Sequence, residues 1–309
     1  MSTREMRNMA LTALAFLVAA CVPFTESGYL ISIGVTIVMY TVLATSWSLF
    51  SGPTHYISLA TAAFYGMGTL IVAYGIETIP YWILLVISVA AGAVMAALVG
   101  LATLRLSGVY FVIFTLGLAE MIRQLMSWIQ NNFTGSRGLY VLTDLTETHI
   151  YWELLALAAV VYLAGWWIGR SRLGFAMRII GNDETVAAHV GINTAISKVL
   201  LFMVSGMVAS LVGALLAPRW TYIEPNLAFS PLLSFEVVIM ALLGGLGRLW
   251  GPLVGVIPFT ILLEVIEASY PSQTILVMGI AFLLIVYLVP KGVVGRIEDG
   301  LRKMRGGSH

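Results

Sequence analysis

The sequence predicts an all-α polytopic membrane protein with about ten transmembrane crossings, and three observations carry this prediction. First, 60% of the 309 residues are hydrophobic and only 10% are charged, whereas an average soluble domain is about 25% charged. Second, the mean hydropathy of +0.96 leaves too little polar surface for a globule in water. Third, apolar stretches long enough to cross about 30 Å of hydrocarbon recur along the chain. Composition therefore excludes a soluble globular protein and a disordered chain.

The predicted crossings form two blocks around one central span. In chain order they are Met9 to Phe24, Leu30 to Phe50, Ser58 to Ile76, Pro80 to Leu104, Gly108 to Ile129, Tyr151 to Gly169, Ala195 to Ala217, Pro231 to Leu246, Gly251 to Glu267 and Thr274 to Val289. The blocks Leu30 to Ile129 and Ala195 to Val289 each hold four spans and start from opposite sides, as an inverted repeat does. With no long linker between them, we expect one transmembrane domain over 1–309.

The positions of Lys and Arg predict that both termini are cytoplasmic. With ten crossings, twelve of these residues fall on the side of the N-terminus, and only Arg137 and Arg219 fall on the other side. This orientation makes 170–194 a cytoplasmic loop, 290–309 a cytoplasmic tail, and 130–150 and 218–230 periplasmic loops. The first apolar run ends at Cys21 like a lipoprotein signal, but nine more spans follow it, so we expect an ordinary first crossing.

The sequence contains none of the common motifs for ATP binding, hydrolysis or metal binding. No Gly-x-x-x-x-Gly-Lys-Ser/Thr loop for ATP is present, and no serine-hydrolase elbow or His-Glu-x-x-His helix is present. One cysteine and four scattered histidines offer no spacing for a metal site. A net charge of +1 gives no field that would attract nucleic acid. We therefore expect a transporter or channel that is not an enzyme and binds no metal or cofactor itself.

The loop 170–194 is the most informative polar stretch. Asn182 or Asp183 can cap a short helix, Gly191 can end it, and the small residues Ala187 and Ala188 leave room for another surface. Such a helix is suited to the groove of a partner protein. The alternative is an amphipathic helix that lies on the membrane with snorkelling arginines, and composition alone leaves the two interpretations even.

Four stretches of the chain resemble one known family in its order along the sequence. They are Gly174–Arg178 with Asp183–Ile192, Leu106–Phe111 with Thr115–Leu116 and Ala119–Glu120, Phe133–Leu139, and Gly244–Pro252. Together they resemble the permeases of branched-chain amino acid ABC importers, a family that also includes urea and short-chain amide importers. The chain departs from the family pattern at Ala60, Thr61 and Ser136. The resemblance therefore identifies the type of transporter better than the solute that it carries.

The resemblance implies a permease subunit that forms half of a pore in the bacterial inner membrane. The expected partners are a second permease subunit, two cytoplasmic ATPases that hydrolyse ATP, a periplasmic solute-binding protein and membrane lipid. The cargo would be branched-chain amino acids or a related small polar solute. The ATPases would contact the coupling loop 170–194 through six residues, namely Arg178, Asp183, Glu184, Ala187, Ala188 and Gly191.

Ten residues are candidates for the substrate path. They are Tyr56, Ser58, Thr61, Gly66, Gly68, Thr115, Glu120, Gly244, Gly245 and Gly247. Small residues in membrane helices also serve close packing, and the glycine turn can be purely structural. Glu120 and Arg123 lie three residues apart and can pair on one helix face, or they can contact a zwitterion in transit.

Two other classes of protein remain in competition at this stage. A secondary transporter would work without an ATPase and would depend on charged residues within the membrane, of which Glu120, Arg123 and Glu236 are the candidates. A membrane enzyme or lipid flippase would need a convergent set of catalytic side chains, which the sequence does not offer.

Overall fold

The computed structural model describes residues 15–25, 27–103, 108–246, 249–270 and 273–288, and most of them are helical. In chain order the elements are α1 (Ala15–Thr25), α2 (Gly28–Thr54), α3 (Thr61–Gly75), α4 (Tyr81–Thr103), α5 (Val109–Ile129), β1 (Leu139–Tyr140), α6 (Glu147–Arg170), α7 (Arg172–Asn182), α8 (Glu184–His189), α9 (Thr194–Leu216), β2 (Tyr222–Ile223), α10 (Pro225–Ala228), α11 (Pro231–Gly244), α12 (Gly251–Ser269) and α13 (Thr274–Leu288). A π-helical turn, Gln130–Thr134, continues α5.

Within the described residues, seven helices are long and apolar enough to cross a membrane. They are α2, α4, α5, α6, α9 with its last turn, α10 joined to α11, and α12. Three further predicted spans coincide with shorter helices: α1, which is apolar, and α3 and α13, of 15 residues each. The 15 residues of α3 extend about 22 Å, less than the hydrocarbon thickness. The start of the first predicted span and the tail 290–309 lie outside the described residues.

Helix α9 packs at the centre of the bundle because small residues let its neighbours approach closely. A methyl group added to Gly68 of α3 would collide with the backbone carbonyl of Ser210, and one added to Gly213 would collide with the carbonyl of Tyr65. Ser210 also donates a hydrogen bond of 2.8 Å to the Ser88 carbonyl in α4. Membrane helices commonly associate through such small-residue contacts. By contrast, α5 lies at the edge, with only 17% of its span buried against 67% for α9.

The two predicted periplasmic loops meet at one end of the bundle. β1 in the first loop pairs antiparallel with β2 in the second, with Leu139 opposite Ile223 and Tyr140 opposite Tyr222. Arg219 Nε also donates to Glu147 Oε1 at 3.1 Å beside this sheet. The loop after α2 and the helix α8 meet at the opposite end, where Tyr56 reaches Glu184. The segments that the sequence assigns to a common side therefore do share an end of the molecule.

Candidate functional site

Helix α8 forms the predicted short helix in the loop 170–194, and its caps explain its length. Asp183 Oδ1 accepts hydrogen bonds from the backbone N–H groups of Thr185 at 2.8 Å and Val186 at 3.2 Å. These bonds lower the pKa of the Asp183 carboxyl and satisfy donors that a helix start leaves open. Gly191, with φ of +82°, takes the left-handed conformation that follows the helix end. Asp183 is therefore the cap, one of the two alternatives that the sequence leaves open.

A buried lysine connects α8 to two other segments. The ammonium of Lys198, a residue near the start of α9 with 2% of its side chain exposed, lies 2.7 Å from Glu184 Oε1. Tyr56, in the loop between α2 and α3, donates to Glu184 Oε2 at 3.1 Å. The Lys198 ammonium also lies 3.4 Å from the Tyr56 hydroxyl and 4.7 Å from the centre of its ring. We call Tyr56, Glu184 and Lys198 the Lys198 cluster.

The protonation states of the Lys198 cluster favour the charged pair. Burial raises the pKa of Glu184, but the hydrogen bond and the charge of Lys198, with the Tyr56 hydroxyl, outweigh it, so the pKa is lowered overall. Burial raises the pKa of Tyr56, which stays a hydroxyl donor at neutral pH. Glu184 is therefore an anion beside a cation, and both of its oxygens have partners within the chain.

The other predicted ATPase-contact residues divide between a buried and an exposed face. Ala187 is buried, whereas Ala188, Gly191, Arg178 and Asp183 are exposed. The exposed face of α8 presents Thr185, Val186, Ala188 and His189 to solvent, whereas Glu184 and Ala187 hold the helix to the bundle. Through this arrangement, a displacement of α8 can be transmitted directly to α9 and to the break between α2 and α3.

A second ionic cluster lies on α5, at the end of the molecule that carries β1 and β2. Arg123 Nε donates to Glu120 Oε2 at 2.8 Å, and a second guanidinium nitrogen contacts Glu120 Oε1. Arg123 Nη1 donates to Asn226 Oδ1 at 2.9 Å, and Gln124 Nε2 donates to Glu120 Oε1 at 2.9 Å. We call Glu120, Arg123, Gln124 and Asn226 the Arg123 cluster. It offers a cation and an anion on a partly exposed surface of a membrane-length helix.

Two predicted path residues meet at the break between α2 and α3. His55, with φ of +60°, ends α2, and non-helical backbone then runs to the start of α3. The Leu59 N–H donates to Thr115 Oγ1 at 3.1 Å, and the Ser58 carbonyl accepts from the Trp47 indole at 2.8 Å. Buried backbone outside a helix needs such partners. Ser58 and Thr115 therefore keep a buried break in place.

The remaining predicted path residues occupy separate places. Thr61 is buried at the start of α3. Gly66 packs against the ring of Phe229, and Gly68 packs against Ser210. Gly244 and Gly245 form the tight turn before α12, close to Gly251. A role in transport stays a prediction for all five glycines of the list, of which Gly247 lies outside the described residues.

Sequence reasoning did not include three residues that the structure places at these sites. Lys198 is the cation of the Lys198 cluster, and Asn226 completes the Arg123 cluster. Ser234 accepts a hydrogen bond of 2.9 Å from the Ala62 N–H next to the break between α2 and α3. A lysine five residues into an apolar helix was the available signal for the first. No comparable signal marks Asn226 or Ser234, because their roles depend on which helices become neighbours. In the described part of the chain, no group of three His, Cys, Asp or Glu residues could hold a metal ion.

Comparison with known proteins gives one consistent family. Residues 29–289 match the family described as "Branched-chain amino acid transport system / permease component". The high-affinity branched-chain amino acid transport system permease protein LivH of Salmonella typhimurium is 29% identical over 166 residues, which cover 53% of this chain and 52% of LivH. The corresponding LivM protein of Escherichia coli is 24% identical over 337 residues, which cover 97% of this chain and 78% of LivM.

The matched region spans about half the length of LivH. Among solved structures, PsaBC from Streptococcus pneumoniae in complex with Fab aligns over 90% of this chain and 97% of that chain, at 15% identity and a TM-score of 0.49. A TM-score below 0.5 does not establish a shared fold.

Proposed function

The chain belongs to the family of branched-chain amino acid transport permeases, and from this premise we propose that it forms one half of the pore of a bacterial ABC importer. The family match over residues 29–289 supports a permease. The structural observation that carries the proposal is helix α8, which is capped at both ends, exposed on one face and tied to α9 by the ion pair between Glu184 and the buried Lys198. This geometry suits a helix that a partner protein pushes.

The proposed partner on α8 is a cytoplasmic ATPase, with two ATPases for two permease subunits. Arg178, Asp183, Ala188 and Gly191 would meet the ATPase, because they are exposed. Glu184 and Ala187 would instead transmit its movement into the bundle through Lys198 and the neighbouring side chains. This chain would bind no cofactor, and ATP would be hydrolysed by the partners.

The proposed position of the second permease subunit is beside α5. Little of this helix is buried within a single chain, and its polar residues Glu120, Arg123, Gln124 and Ser127 fall on one stripe. Charged side chains that face lipid carry a high energetic cost. A stripe that faces a water-filled path between two permeases avoids that cost, and so supports a paralogous second subunit and a path along α5.

The proposed cargo is a branched-chain amino acid or a related small polar solute. The printed names of LivH and LivM concern branched-chain amino acid transport. The Arg123 cluster adds a chemical argument, because a zwitterion carries one group for the Arg123 guanidinium and one for the Glu120 carboxylate. A periplasmic binding protein would deliver the solute to the loops 130–150 and 218–230.

The proposed topology keeps both termini in the cytoplasm of a multi-pass protein of the bacterial inner membrane. Seven full-length helices and the shorter α1, α3 and α13 support ten crossings in one transmembrane domain. The common end shared by β1 and β2 supports the alternation of sides on which the proposed inverted repeat rests.

The test is uptake in proteoliposomes that contain this chain, its second permease and the two ATPases, with the binding protein and radiolabelled leucine outside. We expect uptake that requires ATP inside and the binding protein, and that ignores an imposed ion gradient. Uptake by this chain alone, driven by a proton or sodium gradient, would instead establish the secondary transporter and refute the ABC importer.

A further inference from the structure

A groove of about 650 Å³ lies between α7 and the segment that joins α8 to α9. Its lining is mostly apolar and includes Phe175, Ile179 and Val190, whereas Arg172 borders it as a cation. Its volume falls in the range of sites for small ligands, about 300–1,000 Å³. Phe175 has 60% of its surface exposed, and Val190 has 63% exposed. The groove is thus a solvent-exposed apolar surface that no described segment of the chain covers.

The residues around the groove are typical of the interface between hydrocarbon and water. Ser197, which contributes to its lining, belongs to the first turn of the membrane-length helix α9. Nearby, the spanning helix α6 ends with the exposed Trp166 and Trp167, and the Arg170 guanidinium stacks 4.1 Å from the centre of the Trp166 ring. Tryptophan and arginine at a helix end are typical of the interface between hydrocarbon and headgroups.

Helix α7 has the pattern of a helix that lies along a membrane surface. Its buried positions, such as Met177 and Ile180, face the bundle, whereas Arg172, Phe175 and Arg178 are exposed. A helix with basic residues and an exposed aromatic side chain binds in the headgroup region and favours anionic lipid. Basic pockets beside membrane helices on the cytoplasmic side bind anionic headgroups. Both features come together in this groove.

We propose that the groove binds an anionic phospholipid of the cytoplasmic leaflet. The phosphate pairs with Arg172, and an acyl chain covers Phe175 and Ile179 in place of water. The membrane side of the site rests on the proposed orientation of the importer. A soluble partner fits less well than a lipid, because the lining continues from α7 onto a spanning helix.

The test is native mass spectrometry of the full chain, purified in detergent, with equal amounts of phosphatidylglycerol and phosphatidylcholine that carry the same acyl chains. We expect bound phosphatidylglycerol to predominate. Arg172→Glu should lower its occupancy by about fivefold or more, since each basic residue contributes about 1 kcal/mol to binding at an anionic surface. The matched control is Arg137→Glu, an exposed arginine near the opposite end of the bundle, which should leave the occupancy unchanged.

Two results would overturn the proposal. One is equal retention of both lipids by the unchanged chain, and the other is a preference that survives Arg172→Glu. A complementary assay adds the purified ATPase to Phe175→Cys chains labelled with a fluorophore. Protection of this label by the ATPase and not by phosphatidylglycerol would assign the groove to the ATPase and exclude the lipid. The lipid assay needs no transport, so its failure leaves the proposed function untouched.

Discussion

The Lys198 cluster and the Arg123 cluster contain the same chemistry in opposite surroundings. Each pairs a cation with a glutamate, and the two glutamates are almost equally exposed, at 42% for Glu184 and 40% for Glu120. The cations differ, because Lys198 is 2% exposed and Arg123 is 23% exposed. A buried charge depends on its partner, whereas an exposed charge can exchange its partner for water or a ligand. The first cluster is therefore suited to hold segments together, and the second is suited to meet a solute.

The range of the contacts leads to the same distinction. Glu120 and Arg123 lie one turn apart on a single helix, so their ion pair adds little to the fold, and Arg123 reaches α10 through a hydrogen bond to Asn226. Lys198 joins α9 by its ion pair to Glu184 and by a longer contact to Tyr56, a residue 142 positions away in the chain. Movement of α8 must therefore either carry α9 with it or break the ion pair between Glu184 and the buried Lys198.

The largest expected effect on stability is that of Glu184→Ala. The substitution leaves the Lys198 ammonium buried without this carboxylate. Because Lys198 is buried but 42% of the Glu184 side chain is exposed, the expected loss lies between the value for an exposed pair, about 1 kcal/mol, and that for a fully buried pair, about 3 kcal/mol. Thermal unfolding in detergent should show a decrease in the midpoint. An unchanged midpoint would mean that water or other groups of the chain satisfy Lys198, and the contrast between the two clusters would disappear.

The charge swap Glu184→Lys with Lys198→Glu provides the control for that prediction. The swap keeps opposite charges at the two positions, so it should recover part of the stability that either single reversal removes. A double variant as unstable as the sum of the two single variants would show that the positions do not interact.

The Arg123→Ala substitution should separate stability from transport. Exposed pairs contribute about 0.2–1 kcal/mol, so the unfolding midpoint should change little. If the guanidinium binds the carboxylate of the solute, the KM for uptake should rise by roughly tenfold or more, as charge-assisted hydrogen bonds of about 1.5–3 kcal/mol imply. Arg123→Lys keeps the charge and should recover part of the affinity. An unchanged KM would show that the Arg123 guanidinium does not bind the solute and that the Arg123 cluster has only a structural role.

A smaller effect is expected from Asp183→Ala. The variant loses the cap of α8 but keeps the ion pair behind it, so ATP-driven uptake should fall less than it does in Glu184→Ala. Asp183→Asn retains an accepting oxygen and should behave nearly as the unchanged chain. A loss of uptake in Asp183→Ala as large as that in Glu184→Ala would place the coupling in the cap.

The smallest effect is the pH dependence of the Lys198 cluster. The pKa of Glu184 is lowered in the folded chain, so its stabilising contribution is complete above the ordinary glutamate value of about 4.3 and is lost as the pH falls below it. Glu184→Gln should therefore show a shallower decrease in the unfolding midpoint between about pH 5 and pH 3. Equal slopes in both chains would contradict the assignment.

The sequence was informative where a single segment determines its own structure. Asp183 and Gly191 mark the ends of α8, because capping depends on neighbouring residues. Glu236, which the sequence marks as a charged residue within the membrane, is buried against the Tyr40 hydroxyl. The pairing of Glu120 with Arg123 followed from their spacing on one helix.

The sequence was uninformative where distant segments meet. Nothing local indicates that Glu184 faces Lys198 and Tyr56, which contact both of its oxygens. The contact of Glu184 with an ATPase stays a prediction. Hydropathy also predicts a crossing for any apolar stretch, whether its backbone is helical or not. Ser58 to Ile76 was therefore predicted as one span, although its first residues form the hydrogen-bonded break before α3.

The central claim is that the two clusters perform separable tasks, and the number of solute molecules transported per ATP hydrolysed tests it most directly. In the reconstituted importer, Glu184→Ala should lower this ratio, because ATP hydrolysis no longer moves α9. Arg123→Ala should raise the KM and leave the ratio unchanged at saturating solute. A ratio that stays constant in Glu184→Ala, or that falls equally in both variants, would contradict the claim.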